Sequence, residues 1–378
     1  MLRQAFSTAA AHSRSNLPRV VFSGIQPTGI PHLGNFAGAL SQWVQLQDAE
    51  PSTSKLMFSV VDLHAITTPQ PPQQLRQWRR EALAALLAIG LHPDRATIFF
   101  QSSVPAHSEL MWILSCTASV GYLSRMTQWK SKLNLDDASS LDDRGVGSKL
   151  KLGLFSYPVL QAADILVHRY LNHEIPLKEH ELILPNGRAT HVPVGHDQKQ
   201  HLEFARECVT NFNHAYGNHL VQPETLISPV HRVMSLNDPS CKMSKSHKLD
   251  RSRILITDSP EQIKAKIGSA LTDSIPGISY DIESRPGISN LLSILSLFDG
   301  RKRSAAQLGA AYSDLSPKQF KQIVSEAIIQ GFGSVRERYL ELLSSDNNYL
   351  EKVAAEGARR ANENAEETMS LVREAVGF

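Results

Sequence analysis

The sequence predicts an α/β protein in which a doubly wound parallel sheet is followed by a C-terminal α-helical domain. Two observations support this prediction. Over the first two hundred residues, short and almost continuously apolar runs alternate with segments of helical periodicity, a pattern typical of strands buried on both faces of a parallel sheet. From Ser289 onward the apolar residues fall at helical spacing, which predicts helices packed on one another.

Each element of the sheet follows from a local pattern. The predicted strands are short runs rich in apolar, β-branched and aromatic residues, at 20–24, 56–61 and 97–101. The predicted helices have apolar residues every three or four positions, at 35–48, 72–90 and 107–126. A polar loop is expected at 131–148. Two extended segments around a Pro-Asn-Gly turn predict a β-hairpin at 175–194.

The charge balance argues against several classes of protein. Thirty-nine Lys and Arg against 37 Asp and Glu leave a net charge of +2, which is too little for a protein that coats DNA or a membrane surface. Basic residues still cluster at 301–338 and after residue 246. These stretches are either nucleic-acid contacts or ordinary solvated surface. The three cysteines have no metal-ligand spacing, and no continuously apolar run is long enough to predict a membrane span.

The first nineteen residues differ from the rest of the chain. They contain Arg3, Arg14 and Arg19 and no acidic residue, and Ser and Ala are abundant. They also lack the apolar centre of a secretory signal. This composition predicts an organelle transit peptide.

Ligands of parallel sheets bind at the carboxyl ends of the strands, so the loops at 24–35, 62–67 and 101–107 are the expected site. The first of these loops is rich in glycine, which allows a ligand to approach the backbone. A helix begins after it, near Gly34 and Asn35, and its positive N-terminal end favours a phosphate. His32 can donate a hydrogen bond to a phosphate oxygen.

A second loop, Lys-Met-Ser-Lys-Ser at 242–246, is basic and hydroxyl-rich. Lys242 and Lys245 are suited to hold a triphosphate and to stabilise the charge that builds up as pyrophosphate leaves. A basic, solvated loop is the alternative for this segment taken alone.

The two loops together resemble the paired signatures of class I aminoacyl-tRNA synthetases, and the match is best to the tryptophanyl-tRNA synthetases. The resemblance runs from residue 20 to the C-terminus. Its segments in order are FSGIQPTG (22–29), GNFAGAL (34–40), VVDLHAIT (60–67), QSSVPAHSEL (101–110), RMTQWK (125–130), YPVLQAADIL (157–166), VPVGHDQKQHLE (192–203), MSLNDPSCKMSKS (234–246) and RPGISNLL (285–292).

This resemblance implies an organisation and an activity. After a mitochondrial transit peptide at 1–19, a Rossmann-like catalytic domain would occupy 20–250 and a helical anticodon-binding domain 251–378. The enzyme would be a homodimer of the mitochondrial matrix. It would use ATP, with the Mg²⁺ that accompanies ATP and no resident metal, to form tryptophanyl-adenylate, and would transfer tryptophan to tRNA(Trp).

The resemblance also assigns residues to roles. His32, Lys242 and Lys245 would be catalytic. The ATP site would be formed by Gln26, Pro27, Thr28, Gly34, Asn35, Gly195, His196, Asp197, Val233, Lys242, Met243, Ser244, Lys245 and Ser246. The tryptophan pocket would be formed by Asp164, Tyr157, Gln161 and Gln198.

Asp164 would accept the indole N–H, which is a donor only. It lies in a helical run of apolar residues, where a carboxylate is costly unless it has a partner. Two positions depart from the family pattern: Gln161 stands where many bacterial members have Met, and His196 replaces a common Glu. Two other functions stay open, a tyrosyl ligase and an RNA-binding protein that has kept the fold but lost catalysis.

Overall fold

The computed structural model describes residues 18–136, 138–143, 145–170, 189–194, 198–227, 232–245, 247, 249–345 and 348–378. The predicted transit peptide therefore lies outside the described residues except for its last two positions. Among the helices in the described part of the chain, none is long and apolar enough to cross a membrane.

A five-stranded sheet forms the centre of the molecule. Its strands are β1 (Val20–Ile25), β2 (Lys55–Val60), β3 (Thr97–Phe100), β4 (Thr190–Val194) and β5 (Glu224–Ile227). All neighbouring strands are parallel, and their order across the sheet is β3-β2-β1-β4-β5. The order reverses between β1 and β4, so a crevice opens there at the carboxyl edge. The predicted doubly wound parallel sheet is confirmed.

The helices follow the strands in chain order. They are α1 (Leu33–Asn35), α2 (Ser41–Ala49), α3 (Asp62–Ala65), α4 (Pro72–Ala88), α5 (Ala106–Ser115), α6 (Val120–Arg125), α7 (Thr127–Lys132), α8 (Val146–Lys149), α9 (Leu152–Phe155), α10 (Tyr157–Leu166), α11 (Lys199–Tyr216), α12 (Pro260–Gly268), α13 (Pro286–Leu297), α14 (Ala305–Ala311), α15 (Pro317–Ser344) and α16 (Tyr349–Val376). A π-helix, Phe36–Leu40, joins α1 to α2, and 3₁₀ turns lie at Gln101–Ser103 and Asp250–Ser252.

The β-hairpin predicted at 175–194 is wrong in the pairing of its second strand. Residues 190–194 form β4, which lies inside the main sheet and pairs in parallel with both β1 and β5. A short β-branched run looks the same in a hairpin and in a buried parallel sheet, because the pairing partner is not encoded locally. The rest of the predicted hairpin, up to residue 188, lies outside the described residues.

Both faces of the sheet are covered. Val21 and Phe58 belong to one buried cluster, and their chain neighbours Phe22 and Met57 belong to a second. Successive strand residues point to opposite faces, so each cluster packs on one face. The first cluster continues from the sheet through α12 to α15 and into the start of α16. The hydrophobic core is therefore continuous across the domain boundary predicted at residue 250, and the division into two domains stays a prediction.

The last helix, α16, covers the edge strand β3. Gly357 faces the strand so closely that a Cβ atom there would overlap the carbonyl oxygen of Ile98. On the same helix Arg373 makes a two-point ion pair with Glu109 of α5, with N–O distances of 2.6 and 2.7 Å. The C-terminal helix is therefore attached directly to the elements that carry the candidate site.

Candidate active site

His32 lies in the loop after β1 and caps helix α1. Its Nδ1 accepts the backbone N–H of Asn35 at 3.3 Å, while Asn35 Oδ1 accepts the N–H of His32 at 3.1 Å. Burial, assisted by the positive charges of Lys245, Arg253 and Lys242, lowers the pKa of His32 to about 3. The ring is therefore neutral, and because Nδ1 is an acceptor, the proton is on Nε2.

The segment that follows the Lys-Met-Ser-Lys-Ser loop is hydrogen-bonded to this first loop. The N–H of Leu33 donates to the carbonyl of Ile254 at 2.7 Å, and the N–H of Ile256 donates to the carbonyl of Pro31 at 3.1 Å. A Cβ atom on Gly34 would lie 3.4 Å from Cβ of Met243. The two loops, more than two hundred residues apart in sequence, thus form one wall.

The two lysines of the second loop differ in environment. Lys245 Nζ donates to the carbonyl of Gly29 at 2.8 Å, and burial lowers the pKa of Lys245 to about 8 although the charge of Glu81 opposes the shift. Lys242 is exposed. The buried Met243 anchors the loop through its N–H, which donates to the carbonyl of Val233 at 3.1 Å.

A pocket of about 310 Å³ opens where the loops meet α4. Thr28, Gly29 and Lys245 line one part of it, and Arg253 adds a second positive charge. The N–H groups of Leu33 and Asn35 at the start of α1 already donate to Ile254 and His32. The neutral ring of His32 and the basic side chains of Lys245 and Arg253 are therefore the groups suited to bind phosphate.

Asp164, on α10, is the most heavily hydrogen-bonded carboxylate of the candidate site. Gln101 Nε2 lies 2.7 Å from Oδ1 and 2.9 Å from Oδ2. His107 Nδ1 lies 2.6 Å from Oδ1, and His64 Nε2 lies 2.8 Å from Oδ2. The carboxylate is 1% exposed. His64 lies on α3 after β2, Gln101 on the 3₁₀ turn after β3 and His107 on α5, so with α10 four elements meet at this side chain.

Two opposing effects act on the charge of Asp164. Burial raises the pKa of the carboxyl group, but hydrogen bonds from His107 and His64 oppose it and hold the pKa well below its usual range. The result is an ionised acceptor without direct contact with solvent, which is tolerated because every oxygen is paired.

Tyr157 and Gln26 connect the surroundings of Asp164 to the loop after β1. The ring of Tyr157 lies 4.3 Å from the ring of His64, and its hydroxyl accepts a hydrogen bond from Gln26 Nε2 at 3.4 Å. Burial raises the pKa of Tyr157 to about 12, so the phenol stays neutral. Gln161 Nε2 donates to Gln198 Oε1 at 3.1 Å.

Sequence reasoning named Asp164 but not His64, Gln101 or His107, the residues that hold it. Each lies in a segment that resembles the synthetases and in one of the two loops, 62–67 and 101–107, that are expected to form the site, which is the signal that points to them. Four predicted ATP-site residues, Gly195, His196, Asp197 and Ser246, lie outside the described residues. Within the described ranges no cluster of three or more potential metal ligands occurs.

A β3-β2-β1-β4-β5 sheet with these two adjacent loops defines a class I aminoacyl-tRNA synthetase fold. Residues 14–333 match the family of class I tRNA synthetases (W and Y). The mitochondrial tryptophan–tRNA ligase of Schizosaccharomyces pombe is 44% identical over 366 residues, covering 95% of each chain. That of Saccharomyces cerevisiae is 41% identical over 383 residues, covering 98% of this chain and 93% of the relative.

A solved structure of a tryptophanyl-tRNA synthetase is also similar to this chain. The tryptophanyl-tRNA synthetase of Campylobacter jejuni, complexed with ADP and tryptophan, is similar with a TM-score of 0.73 at 31% identity, covering 95% of this chain and 100% of that chain. The chain belongs to the family of class I tRNA synthetases for tryptophan and tyrosine, and it is an aminoacyl-tRNA ligase. Of the functions left open by the sequence, these relatives favour the tryptophan enzyme over the tyrosine enzyme and over an RNA-binding protein without catalysis.

Proposed function

We propose that this chain is a tryptophan–tRNA ligase of the mitochondrial matrix, which activates L-tryptophan with Mg²⁺-bound ATP and transfers it to the 3′ end of tRNA(Trp). The observation that carries the proposal is an ionised, buried acceptor, Asp164, at the same sheet edge as the two phosphate-binding loops. Identities above 40% to two mitochondrial tryptophan–tRNA ligases over almost the whole chain support both substrate and compartment.

In the first step a tryptophan carboxylate oxygen attacks the α-phosphorus of ATP, and the bond to the bridging oxygen of pyrophosphate breaks. Negative charge builds up on the β- and γ-phosphates. His32 donates to a phosphate oxygen from its Nε2–H, and Lys242 and Lys245 stabilise the departing pyrophosphate. No covalent enzyme intermediate is needed, so the protein contributes position and charge.

The remaining ATP contacts are proposed from the resemblance and from the walls of the site. Gln26, Pro27 and Thr28 follow β1, and Gly34 and Asn35 lie at the start of the helix, beneath the phosphates. Val233 contacts adenine through its backbone. The ribose side is formed by Gly195, His196 and Asp197, and the phosphate loop runs through Met243 and Ser244 to Ser246.

Asp164 selects tryptophan by accepting the indole N–H. Gln101 Nε2 contacts both carboxylate oxygens, at 2.7 and 2.9 Å, so a shift of this amide onto Oδ1 frees a lone pair on Oδ2 for the indole. Phenylalanine has no donor and would leave that lone pair unpaired, which strongly disfavours it. Tyr157 and Gln198 lie near the substrate ammonium group, and Gln161 forms part of the pocket wall.

The second copy of the proposed homodimer covers an apolar surface beside the site. Trp112, Val120 and Leu152 are 71%, 62% and 79% exposed, and the helices that carry them share one buried cluster. Exposed large apolar side chains of this kind are typical of an interface. The helical region 251–378 binds the anticodon, and the basic residues at 301–338 contact the tRNA backbone.

The deciding experiment is amino-acid-dependent ATP–pyrophosphate exchange, run with each of the twenty amino acids on protein lacking residues 1–19. Exchange with tryptophan alone, followed by charging of tRNA(Trp), is expected. Exchange with tyrosine would overturn the role of Asp164 while leaving the phosphate loops intact. A folded protein that exchanges with no amino acid would overturn the whole proposal.

A further inference from the structure

Three hydrogen bonds join Asp164 to the C-terminal helix through the interior of the molecule. His107 contacts Asp164 at 2.6 Å through Nδ1, and its Nε2 lies 3.3 Å from Nε2 of His168. His168 Nδ1 lies 3.0 Å from Oδ1 of Asn364, on α16. Both histidines are completely buried, and Asn364 is 6% exposed. Helix α5, which carries His107, and the last helix of the chain, α16, are thus joined by one chain of polar contacts.

The orientation of the Asn364 amide sets the direction of these hydrogen bonds. Its Nδ2 donates to the backbone carbonyl of Arg169 at 3.1 Å. A carbonyl can only accept, so Nδ2 must face Arg169, and Oδ1 must face His168. The amide oxygen can only accept as well. His168 Nδ1 therefore carries a proton.

His168 is a neutral ring. It lies between Phe22, whose ring is stacked on it at 5.8 Å, and Phe99, whose ring meets it edge-on at 5.7 Å. Burial in these surroundings lowers the pKa of His168 to about 3. A neutral imidazole protonated on Nδ1 has a lone pair on Nε2, so the contact with His107 requires that His107 donate from Nε2.

His107 consequently donates from both ring nitrogens. Its Nδ1 faces a carboxylate, which accepts only, and its Nε2 faces the lone pair of His168. A ring with protons on both nitrogens is an imidazolium. With this hydrogen-bond pattern Asp164 and His107 carry opposite charges, and the pattern is set by Asn364, which lies three hydrogen bonds from Asp164.

We propose that Asn364 is a positioning residue for amino-acid selection: by fixing the protonation of His168 and His107, it keeps Asp164 ionised and aimed at the indole. This inference rests on the proposed role of Asp164. Without the amide, His168 is free to protonate Nε2 instead, so that its proton meets that of His107 and the His107 ring must rotate or give up a proton. Either response weakens the bond that orients Oδ1.

The protonation can be measured without any substrate. Ring ¹⁵N spectra of the full chain with labelled histidine, recorded at pH 8, are expected to show a signal with protons on both nitrogens, because ordinary histidines are neutral at that pH. The signal is assigned to His107 if it is absent from the spectrum of Asn364→Leu and present in the spectrum of Asn362→Leu. If the wild-type spectrum contains only neutral rings, the proposal is overturned whatever the enzyme's substrate.

The kinetic test uses a matched pair on the same helix. Asn362 Nδ2 donates to the carbonyl of Ser103 at 2.9 Å, so Asn362→Leu also removes a hydrogen bond between α16 and the catalytic region but does not touch the histidine chain. Asn364→Leu is expected to raise KM for tryptophan about tenfold, the effect of one buried hydrogen bond, with KM for ATP unchanged. Asn362→Leu is expected to leave both values unchanged.

Equal effects of the two substitutions would mean that Asn364 acts only by holding the helix, and the proposal would fall. An unchanged KM for tryptophan in Asn364→Leu would overturn it too. If the wild-type enzyme showed no tryptophan-dependent exchange, the proposed function would fail, while the ¹⁵N spectrum would still report whether Asn364 controls the protonation of His107.

Discussion

The two proposed ends of the site differ in how their charged groups are held. At the proposed amino-acid end, Asp164 is fully buried and both its oxygens are paired with side chains from three other elements. At the proposed phosphate end, Lys245 makes its hydrogen bond to a backbone carbonyl and Lys242 is exposed. Selection between similar amino acids is strong where the wrong substrate would leave a buried acceptor unpaired. Stabilising a departing pyrophosphate requires cations that can exchange their partners as charge moves.

The protonation states follow the same division. His32 is neutral because burial and three nearby positive charges disfavour its protonated form. Asp164 is ionised because histidine donors outweigh the effect of burial. Each group is thus held in the form that its proposed role needs, a donor for phosphate and an acceptor for indole.

The largest expected effect is at the phosphate end. Lys245→Ala should slow tryptophan-dependent ATP–pyrophosphate exchange by about 10²- to 10³-fold, since it removes a charge that acts mainly in the transition state. KM for tryptophan should stay within about twofold of wild type. Lys264, exposed on α12, is the control, and Lys264→Ala should leave the exchange rate unchanged. A fall of less than about threefold in Lys245→Ala would remove the assigned role.

At the amino-acid end, Asp164→Asn should lower kcat/KM for tryptophan by about 10- to 100-fold, the range of a charge-assisted hydrogen bond. KM for ATP should be unchanged. The new amide hydrogens would face donors on His64, Gln101 and His107, so the free energy of unfolding should fall as well, and it must be measured separately. An unaltered preference for tryptophan over phenylalanine in a folded variant would contradict the assignment of Asp164.

The pH dependence of stability tests the neutral state of His32. Its pKa falls from 6.5 in the unfolded chain to about 3 in the folded protein, so below pH 6.5 the unfolded state binds a proton that the folded state does not. Stability is therefore complete above pH 6.5 and decreases as the pH falls towards 3. Urea unfolding should show that the wild type loses about 2 kcal/mol more than His32→Asn between pH 7 and pH 5.

Asparagine can still cap α1 but cannot take up a proton, which makes it the matched substitution at this position. His214→Asn, on the exposed face of α11, is the control and should lose stability with pH as the wild type does. Identical pH profiles for wild type and His32→Asn would show that His32 does not stay neutral in the folded protein.

The residues proposed for the phosphate end could be predicted from the sequence more readily than the partners of Asp164. The glycine-rich loop, His32 and the two lysines lie in short local motifs, so their chemistry was readable without a fold. The partners of Asp164 come from residues 64, 101 and 107, and Asn364 comes from the far end of the chain. Only the order of strands and the packing of α16 on β3 bring them together. For the same reason β4 was predicted as a strand but assigned to the wrong pairing.

The smallest effect is expected at Gln161, which lies outside the hydrogen-bonded cluster around Asp164. Gln161 bonds only to Gln198 among the described contacts, and its Oε1 is buried with no partner in the part of the chain that the structure describes. Gln161→Met replaces a partly satisfied amide by an apolar chain of similar length, so the free energy of unfolding should change by less than about 1.5 kcal/mol. KM for tryptophan should change less than about threefold.

Gln101→Met is the matched comparison, because Gln101 is also a glutamine but is fully buried and donates to both oxygens of Asp164. It should raise KM for tryptophan at least about tenfold. Equal effects of the two substitutions on KM for tryptophan would mean that Gln161 belongs to the fixed cluster around Asp164. The expected difference between this cluster and a more adaptable pocket wall at Gln161 would then be wrong. A large increase in KM for tryptophan in Gln101→Met, with a small one in Gln161→Met, would show that the preorganised part of the pocket includes Gln101 but not Gln161.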